Sequence, residues 1–260
     1  MSPIEALILG IVQGLTEFLP VSSSGHLVLG GTLLGVTSPG AGFEVLAHSG
    51  TLLAILIHYR RDLGAMAVSL LTFKRDEHFR LAFLILLGSI PAAAIGLGFS
   101  DRLEALFDAP VLAATMLLVT GLILLSLKFA KPGNAEVRWP TALLIGVAQA
   151  VAIIPGISRS GSTIVTGIHA GVDRARAARF SFLLAIPALG GATLLKGLDL
   201  AKSPPPSSEL LAFLIGAVAA FVSGYLALRW MLGLIVRGRL DRFGTYCLAV
   251  GLTALVLLLV

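Results

Sequence analysis

Two stretches of this chain nearly repeat each other at an offset of 136 residues, and each interrupts an apolar run. The first reads Gly10-Ile-Val-Gln13-Gly-Leu-Thr-Glu17-Phe-Leu-Pro20-Val-Ser22-Ser23-Ser24-Gly25-His26. The second reads Gly146-Val-Ala-Gln149-Ala-Val-Ala-Ile153-Ile-Pro155-Gly156-Ile-Ser158-Arg159-Ser160-Gly161-Ser162-Thr163. Gly10 aligns with Gly146, Gln13 with Gln149, Ser22 with Ser158, Ser24 with Ser160 and Gly25 with Gly161. Each reads as a short apolar helix, a break at proline and a serine-glycine turn, and a resumed helix.

The surroundings make those breaks informative. Hydrophobic residues are 57% and charged residues 13%, against about 45–50% and 25% in soluble domains. With a mean hydropathy of +0.96, the chain reads as a polytopic membrane protein. Apolar spans at 43–59, 81–99, 111–130, 180–198, 210–235 and 243–260 each approach the length that crosses a ~30 Å hydrocarbon core. The uncharged stretch 63–73 is too short to span. Pro204-Pro205-Pro206 reads as a loop, and no basic segment followed by a small-residue cleavage site marks a removable signal peptide. The single cysteine, Cys247, excludes an intramolecular disulfide and a cysteine-rich metal site. Nor does a basic stripe interleaved with aromatics suggest nucleic acid.

Charge sets the topology. Of the nineteen Lys and Arg, fifteen fall in one set of loops and only Arg102, Lys196 and Lys202 in the alternate set. The fifteen mark the cytoplasmic side. On this reading both termini, 100–110 and 199–209 are external, and 60–80, 131–139, 171–179 and 236–242 are internal. The second motif then has basic loops on both sides, so 140–168 should dip into the membrane and return. By the repeat, 3–34 should do the same from the other face. Each half is one re-entrant pair and three spans, and an odd number of spans inverts the second copy. The expected fold is a single all-α membrane domain over 1–260, with six transmembrane helices and two re-entrant helix pairs. Its inverted-topology repeats cover about 1–135 and 136–260, and the site lies where broken helices meet.

Arg159, the nineteenth base, is costly in a bilayer and is kept there for function by default. Its planar fork suits phosphate, and Ser158, Ser160, Gly161, Ser162 and Thr163 add hydroxyls and turn amides at a helix start. The alternative is a structural arginine paired with a buried carboxylate such as Glu17. The first motif supplies Glu17, His26 and, between them, Ser22, Ser23 and Ser24, the ingredients of acid–base and nucleophilic chemistry. His48, His58, His78 and His169 have no such company. Glu44 reads as an interfacial carboxylate.

Glu17–His26 and Pro155–Thr163 resemble the two signatures of the bacterial undecaprenyl-diphosphate phosphatases of the bacitracin-resistance type. Length, span pattern and Phe180-Ser-Phe-Leu-Leu-Ala-Ile-Pro187 extend the resemblance to essentially the whole chain. It implies a multi-pass hydrolase of the bacterial plasma (inner) membrane, working on its external face. Such an enzyme converts undecaprenyl diphosphate to undecaprenyl phosphate and inorganic phosphate, recycling the peptidoglycan lipid carrier. The implied catalytic set is Glu17, Ser23, His26 and Arg159, with His26 activating Ser23 or protonating the leaving oxygen and Glu17 orienting His26 or holding a cation. Gln13, Ser22, Ser24, Ser158, Ser160, Gly161 and Thr163 would hold substrate. The family's acidic motif has Glu or Gln at the position of Gln13, so this chain lacks a second carboxylate there. A divalent cation, Mg or Ca, is implied by the resemblance, with Glu17 its one protein ligand and no organic cofactor. The partners implied are a polyprenyl diphosphate lipid and the bilayer, with no nucleic acid; a homodimer is left open.

Two rivals share features with this reading. A type-2 phosphatidate phosphatase would need a histidine closer to Arg159 than His169 stands. A polyprenyl-phosphate flippase or transporter would use the broken helices and Arg159, but has no need of the Ser-His-Glu set.

Overall fold

The computed structural model describes residues 1–33, 40–131, 133–202 and 206–260. Pro204 and Pro205, and residue 34 at the end of the first expected re-entrant segment, fall outside them. Among the described residues there are twelve α-helices, one short 3-10 turn at Ser126–Phe129, and no strand. The chain is an all-α polytopic membrane protein. Five helices are long and apolar enough to cross a membrane: α5 (Glu77–Gly98), α7 (Pro110–Leu125, extended by the turn to Phe129), α10 (Arg174–Lys202), α11 (Ser207–Val236, apolar from Glu209) and α12 (Asp241–Leu259). The expected span at 43–59 falls on α3 (Gly40–His58), whose apolar part Gly42–His58 is shorter than the other five. Between spans, the 63–73 stretch is α4 (Arg60–Leu71), and an eight-residue α6 (Ser100–Phe107) precedes α7.

Both motifs are broken helices. The first is α1 (Pro3–Phe18) and α2 (Ser23–Leu33); the second is α8 (Trp139–Val151) and α9 (Arg159–His169). Ser2 and Glu5 form a reciprocal capping box at the start of α1, with Pro3 in its first turn. The helix stops because Pro20 disfavours helical backbone at the residue before it, and Leu19 is extended at φ −67°, ψ 144°. Ser158 caps α9 by accepting from the Gly161 amide at 3.1 Å. At an offset of 136, α2 coincides with α9 end for end, and α1, α3, α5, α7 overlay α8, α10, α11, α12 in order. Among the described residues, α4 and α6 have no separate helix as counterpart.

With lipid on the outside, close backbone approach rather than water exclusion holds helices together. α1 lies along α11 and α8 along α5. A Cβ on Gly10 would sit 2.3 Å from the Gly216 carbonyl oxygen, and one on Gly146 would sit 2.2 Å from that of Gly88. The thickest packing surrounds α9 and α10, where Phe180, Phe182, Leu183 and Ile164 are fully buried and Phe182 meets Phe18 edge-on. Leu86, Leu97, Leu122, Val218 and Leu252 face outward as an apolar belt.

Charges gather at the two ends. At one end, Glu136 pairs with Arg80 and Arg176, and Arg179 with Asp62 and Glu77. The half-buried Asp76, which caps α5, has its carboxyl held below the usual carboxylate range by the Phe79 amide. The flanks of the second motif also meet here: Ala135 bridges to Val172, its amide donates to the Gly171 carbonyl, and its carbonyl accepts from the Asp173 amide. Lys196 with Glu44 and Glu104, and the N-terminal amine with Glu209, form separate ion pairs.

Candidate active site

The two chain breaks interlock through matched contacts. A Cβ on Gly25 would lie 3.0 Å from the Gly156 Cα, and one on Gly161 would lie 3.3 Å from Pro20. Gly156 and Pro20 are themselves partners at the 136-residue offset. Ser24 Oγ accepts from the Gly156 amide at 3.4 Å. Its counterpart Ser160 donates to the Leu19 carbonyl at 3.1 Å, because Pro20 has no N–H to offer. Gly156 sits at φ +93°, where a side chain would be strained and would meet the Ala113 carbonyl at 2.2 Å. Thr120, a buried hydroxyl in α7, donates to the Gly156 carbonyl at 2.8 Å and accepts from the Ser158 amide at 2.9 Å.

The chemistry converges on Glu17. Oε1 accepts from Arg159 Nη2 at 2.5 Å, and Oε2 accepts from Ser23 Oγ at 2.6 Å and Gln13 Nε2 at 3.0 Å. The Glu17 side chain is 5% exposed and that of Arg159 14%, so the pair is nearly dry. The structural pairing of Arg159 with Glu17 is therefore realised, yet it consumes only one end of the guanidinium. Arg159 Nη1 and Gln13 Oε1 are buried without a protein partner. Since native folds satisfy most buried polar groups, these two are free to meet a ligand.

The other serines brace the turns. Ser22 takes φ +69° and accepts from the Gly25 amide at 3.3 Å. Its hydroxyl lies 3.2 Å from that of Ser24, and those of Ser158 and Ser160 are 3.3 Å apart. Thr163 bonds the Arg159 carbonyl at 2.7 Å and the Ser181 hydroxyl of α10 at 2.5 Å.

Ser23 is not paired with His26. Nδ1 of His26 lies 2.8 Å from the Ser22 carbonyl one turn back, and Nε2 lies 2.9 Å from the Tyr246 hydroxyl on α12. The imidazole is drawn along its own helix toward α12, leaving Glu17 as the proton acceptor for Ser23.

Sequence reasoning passed over four residues. Thr120 and Ser181 are buried hydroxyls in apolar helices and Tyr246 a phenol in an apolar span; that polarity was the available signal. His48 on α3 stands in the neighbourhood of Glu17. Its Nδ1 is tied to the Glu44 carbonyl at 2.8 Å. His58 and His169 do stand apart, His58 against Tyr59 and His169 hydrogen-bonded to Ser126. Among the described residues no group of three or more His, Cys, Asp and Glu is placed to hold a metal ion. Both Glu17 oxygens are already bonded, so a protein-built metal cage does not fit.

The family description "Bacitracin resistance protein BacA" matches residues 6–253 of this chain. Over 267 residues the chain is 46% identical to an undecaprenyl-diphosphatase of Desulfosudis oleivorans, covering 96% of this chain and 97% of that one. It is 42% identical to an undecaprenyl-diphosphatase of Christiangramia forsetii, with 98% of each covered. Undecaprenyl-diphosphatase 1 of Bacillus licheniformis is 38% identical, with 97% of each covered.

Proposed function

The chain belongs to the bacitracin resistance protein BacA family, and on that premise we propose that it is an undecaprenyl-diphosphatase. It is a membrane hydrolase that converts undecaprenyl diphosphate to undecaprenyl phosphate and inorganic phosphate, returning the carrier to peptidoglycan synthesis. One observation carries the reading: a serine hydroxyl bonded to a buried carboxylate that also holds an arginine with one free end. A carrier that only moved the lipid would need the arginine but not the serine on its carboxylate.

The diphosphate binds with its terminal phosphate on Arg159 Nη1 and the N-terminus of α9, where the helix favours anions. Glu17 takes the Ser23 proton through the 2.6 Å bond, and Ser23 Oγ attacks the terminal phosphorus. The Ser–O–P bond forms as the bond to undecaprenyl phosphate breaks, and the leaving oxygen keeps the electron pair. Arg159 offsets charge on the equatorial oxygens. His26 then accepts a proton from the water that cleaves the phosphoserine, and the proton on Glu17 returns to Ser23. A divalent cation would be held through the diphosphate and would offset its charge, and no step here depends on it. Direct attack by water is the competing route.

The matched breaks, the end-for-end agreement of α2 with α9 and the hydrogen-bonded flanks of the second motif support inverted repeats with two re-entrant pairs. The charge sorting supports an inner-membrane protein whose Glu17–His26 turn opens externally. Impermeant maleimide labelling of single cysteines in a Cys247→Ser background tests this; opposite accessibility of 131–139 and 171–179 would eliminate the second re-entrant pair.

The activity is tested by phosphate release from purified protein on polyprenyl diphosphates of several lengths, with and without chelator. Release is expected. Transbilayer movement of the lipid without release would establish a carrier instead.

A further inference from the structure

His26 is held at both ring nitrogens, and the two bonds together fix where its proton sits. A carbonyl oxygen only accepts, so the 2.8 Å contact with Ser22 places the proton on Nδ1. A neutral ring then presents only a lone pair at Nε2, and the Tyr246 hydroxyl at 2.9 Å must be the donor. The two rings also stack, 5.7 Å between centroids and 3° from parallel, which restrains the tilt of the imidazole.

The phenol is well anchored for such a role. Next to it on α12, the buried Cys247 directs its thiol toward the Pro20 carbonyl at 3.8 Å, so α12 docks on the first break itself. Tyr246 is 45% exposed, whereas Cys247 is fully buried. The phenol can therefore leave the imidazole without opening the packing beside it. Nothing in the catalytic scheme above uses Tyr246, and at the matching position of the second break Ser162 replaces His26.

We propose that Tyr246 is a positioning residue for the diphosphatase reaction, holding His26 as the Nδ1–H tautomer with a basic Nε2. Its hydroxyl occupies that nitrogen until the attacking water displaces it. Without the hydroxyl, the imidazole turns and its lone pair meets the attacking water for only part of the time. The proposal rests on the reading of His26 as a working base.

The test compares Tyr246→Phe with Tyr225→Phe, the latter changing a tyrosine of α11 that packs near His58 and Arg229. Tyr246→Phe keeps the stacked ring and removes only the donor. On a polyprenyl diphosphate, kcat is expected to fall about tenfold, a fraction of what a general base contributes. KM should stay within about twofold and the thermal midpoint should be unchanged, while Tyr225→Phe retains parental kinetics. In a His26→Ala background, read by single turnover, Tyr246→Phe should add almost nothing, since both changes remove one unit.

A kcat within twofold of the parent overturns the proposal. So does a loss confined to KM, or an equal drop in both backgrounds, as plain packing would give. Should Tyr246→Phe lower the thermal midpoint, replacing Tyr246 by 3-fluorotyrosine keeps the shape and strengthens the donor; an unaltered kcat there overturns it equally. If His26→Ala alone is fully active, the base reading fails first and Tyr246 with it. An inactive His26→Ala beside a fully active Tyr246→Phe overturns the role of Tyr246 alone.

Discussion

The two chain breaks share their scaffolding and differ in their chemistry. Where the turns touch, most matched positions agree, Gly25 with Gly161, Ser24 with Ser160 and Ser22 with Ser158, while Pro20 and Gly156 differ. Where protons or charge are handled, they part: Glu17 faces Ile153, Ser23 faces Arg159, His26 faces Ser162. Ser23 and Arg159 are the first residues of α2 and α9, one a nucleophile and the other an anion clamp, at equivalent helix starts. Contacts between breaks constrain both copies alike, because each turn packs against the other. A reaction centre has no such symmetry, since only the terminal phosphorus of the diphosphate is attacked.

The sharpest test of that division is Arg159. Arg159→Ala should reduce turnover by about a thousandfold or more, since it removes the clamp and leaves Glu17 charged, buried and unpaired. Arg159→Lys should recover little, because a point charge cannot hold both Glu17 and phosphate as the fork does. The same imbalance should cost about 3–5 kcal/mol of stability in Arg159→Ala. Much of that should return in the double change with Glu17→Gln, read by thermal unfolding in detergent. Near-normal turnover with lysine would mean that charge alone suffices.

Much of the division is visible in the sequence. Prolines and serine-glycine turns mark breaks in any apolar helix, and a lone Arg159 in a membrane segment is conspicuous on cost alone. Hydropathy marks all six spans, 43–59 among them, and five of the helices reach spanning length, the apolar part of α3 at Gly42–His58 being shorter. Long-range partnership is what the sequence hides. Ser23 and His26 are three residues apart and invite pairing, yet Ser23 turns to Glu17 and His26 to Tyr246, 220 residues away. Thr120 and Ser181 are likewise ordinary span residues until the fold sets them against Gly156 and Thr163.

Ser23→Ala comes next in size. We expect kcat to fall at least about a hundredfold, with KM nearly unchanged, because the nucleophile is lost while the clamp stays. Rapid-quench digestion and mass spectrometry of residues 17–30 should find phosphoserine in the parent. Near-full activity in Ser23→Ala would exclude the covalent role. Loss of activity with no phosphoserine in the parent would leave Ser23 to position the substrate or water.

The scaffolding positions should cost stability before chemistry. Gly156→Ala combines a strained φ with a 2.2 Å approach to the Ala113 carbonyl, and should lose about 2–4 kcal/mol. Gly25→Ala meets neighbours at 3.0–3.3 Å and should lose roughly 1–2 kcal/mol. Thermal midpoints should rank the two in that order, and the reverse order would show that the breaks do not interlock as described.

The smallest effect is expected at the pair of glutamines. Gln13 donates to Glu17 at 3.0 Å, so Gln13→Leu should loosen the carboxylate and slow turnover several-fold, for a loss of about 1 kcal/mol. Gln149, its counterpart, is 2% exposed with both amide atoms unpartnered. Replacing a buried, unsatisfied amide by an apolar side chain of similar volume removes a desolvation penalty, so Gln149→Leu should gain about 1 kcal/mol and keep turnover within twofold. Equal losses of turnover in both variants would redraw the comparison. They would mean that Gln149 reaches the substrate, and that the second copy lends the site an amide from its first helix as well as Arg159.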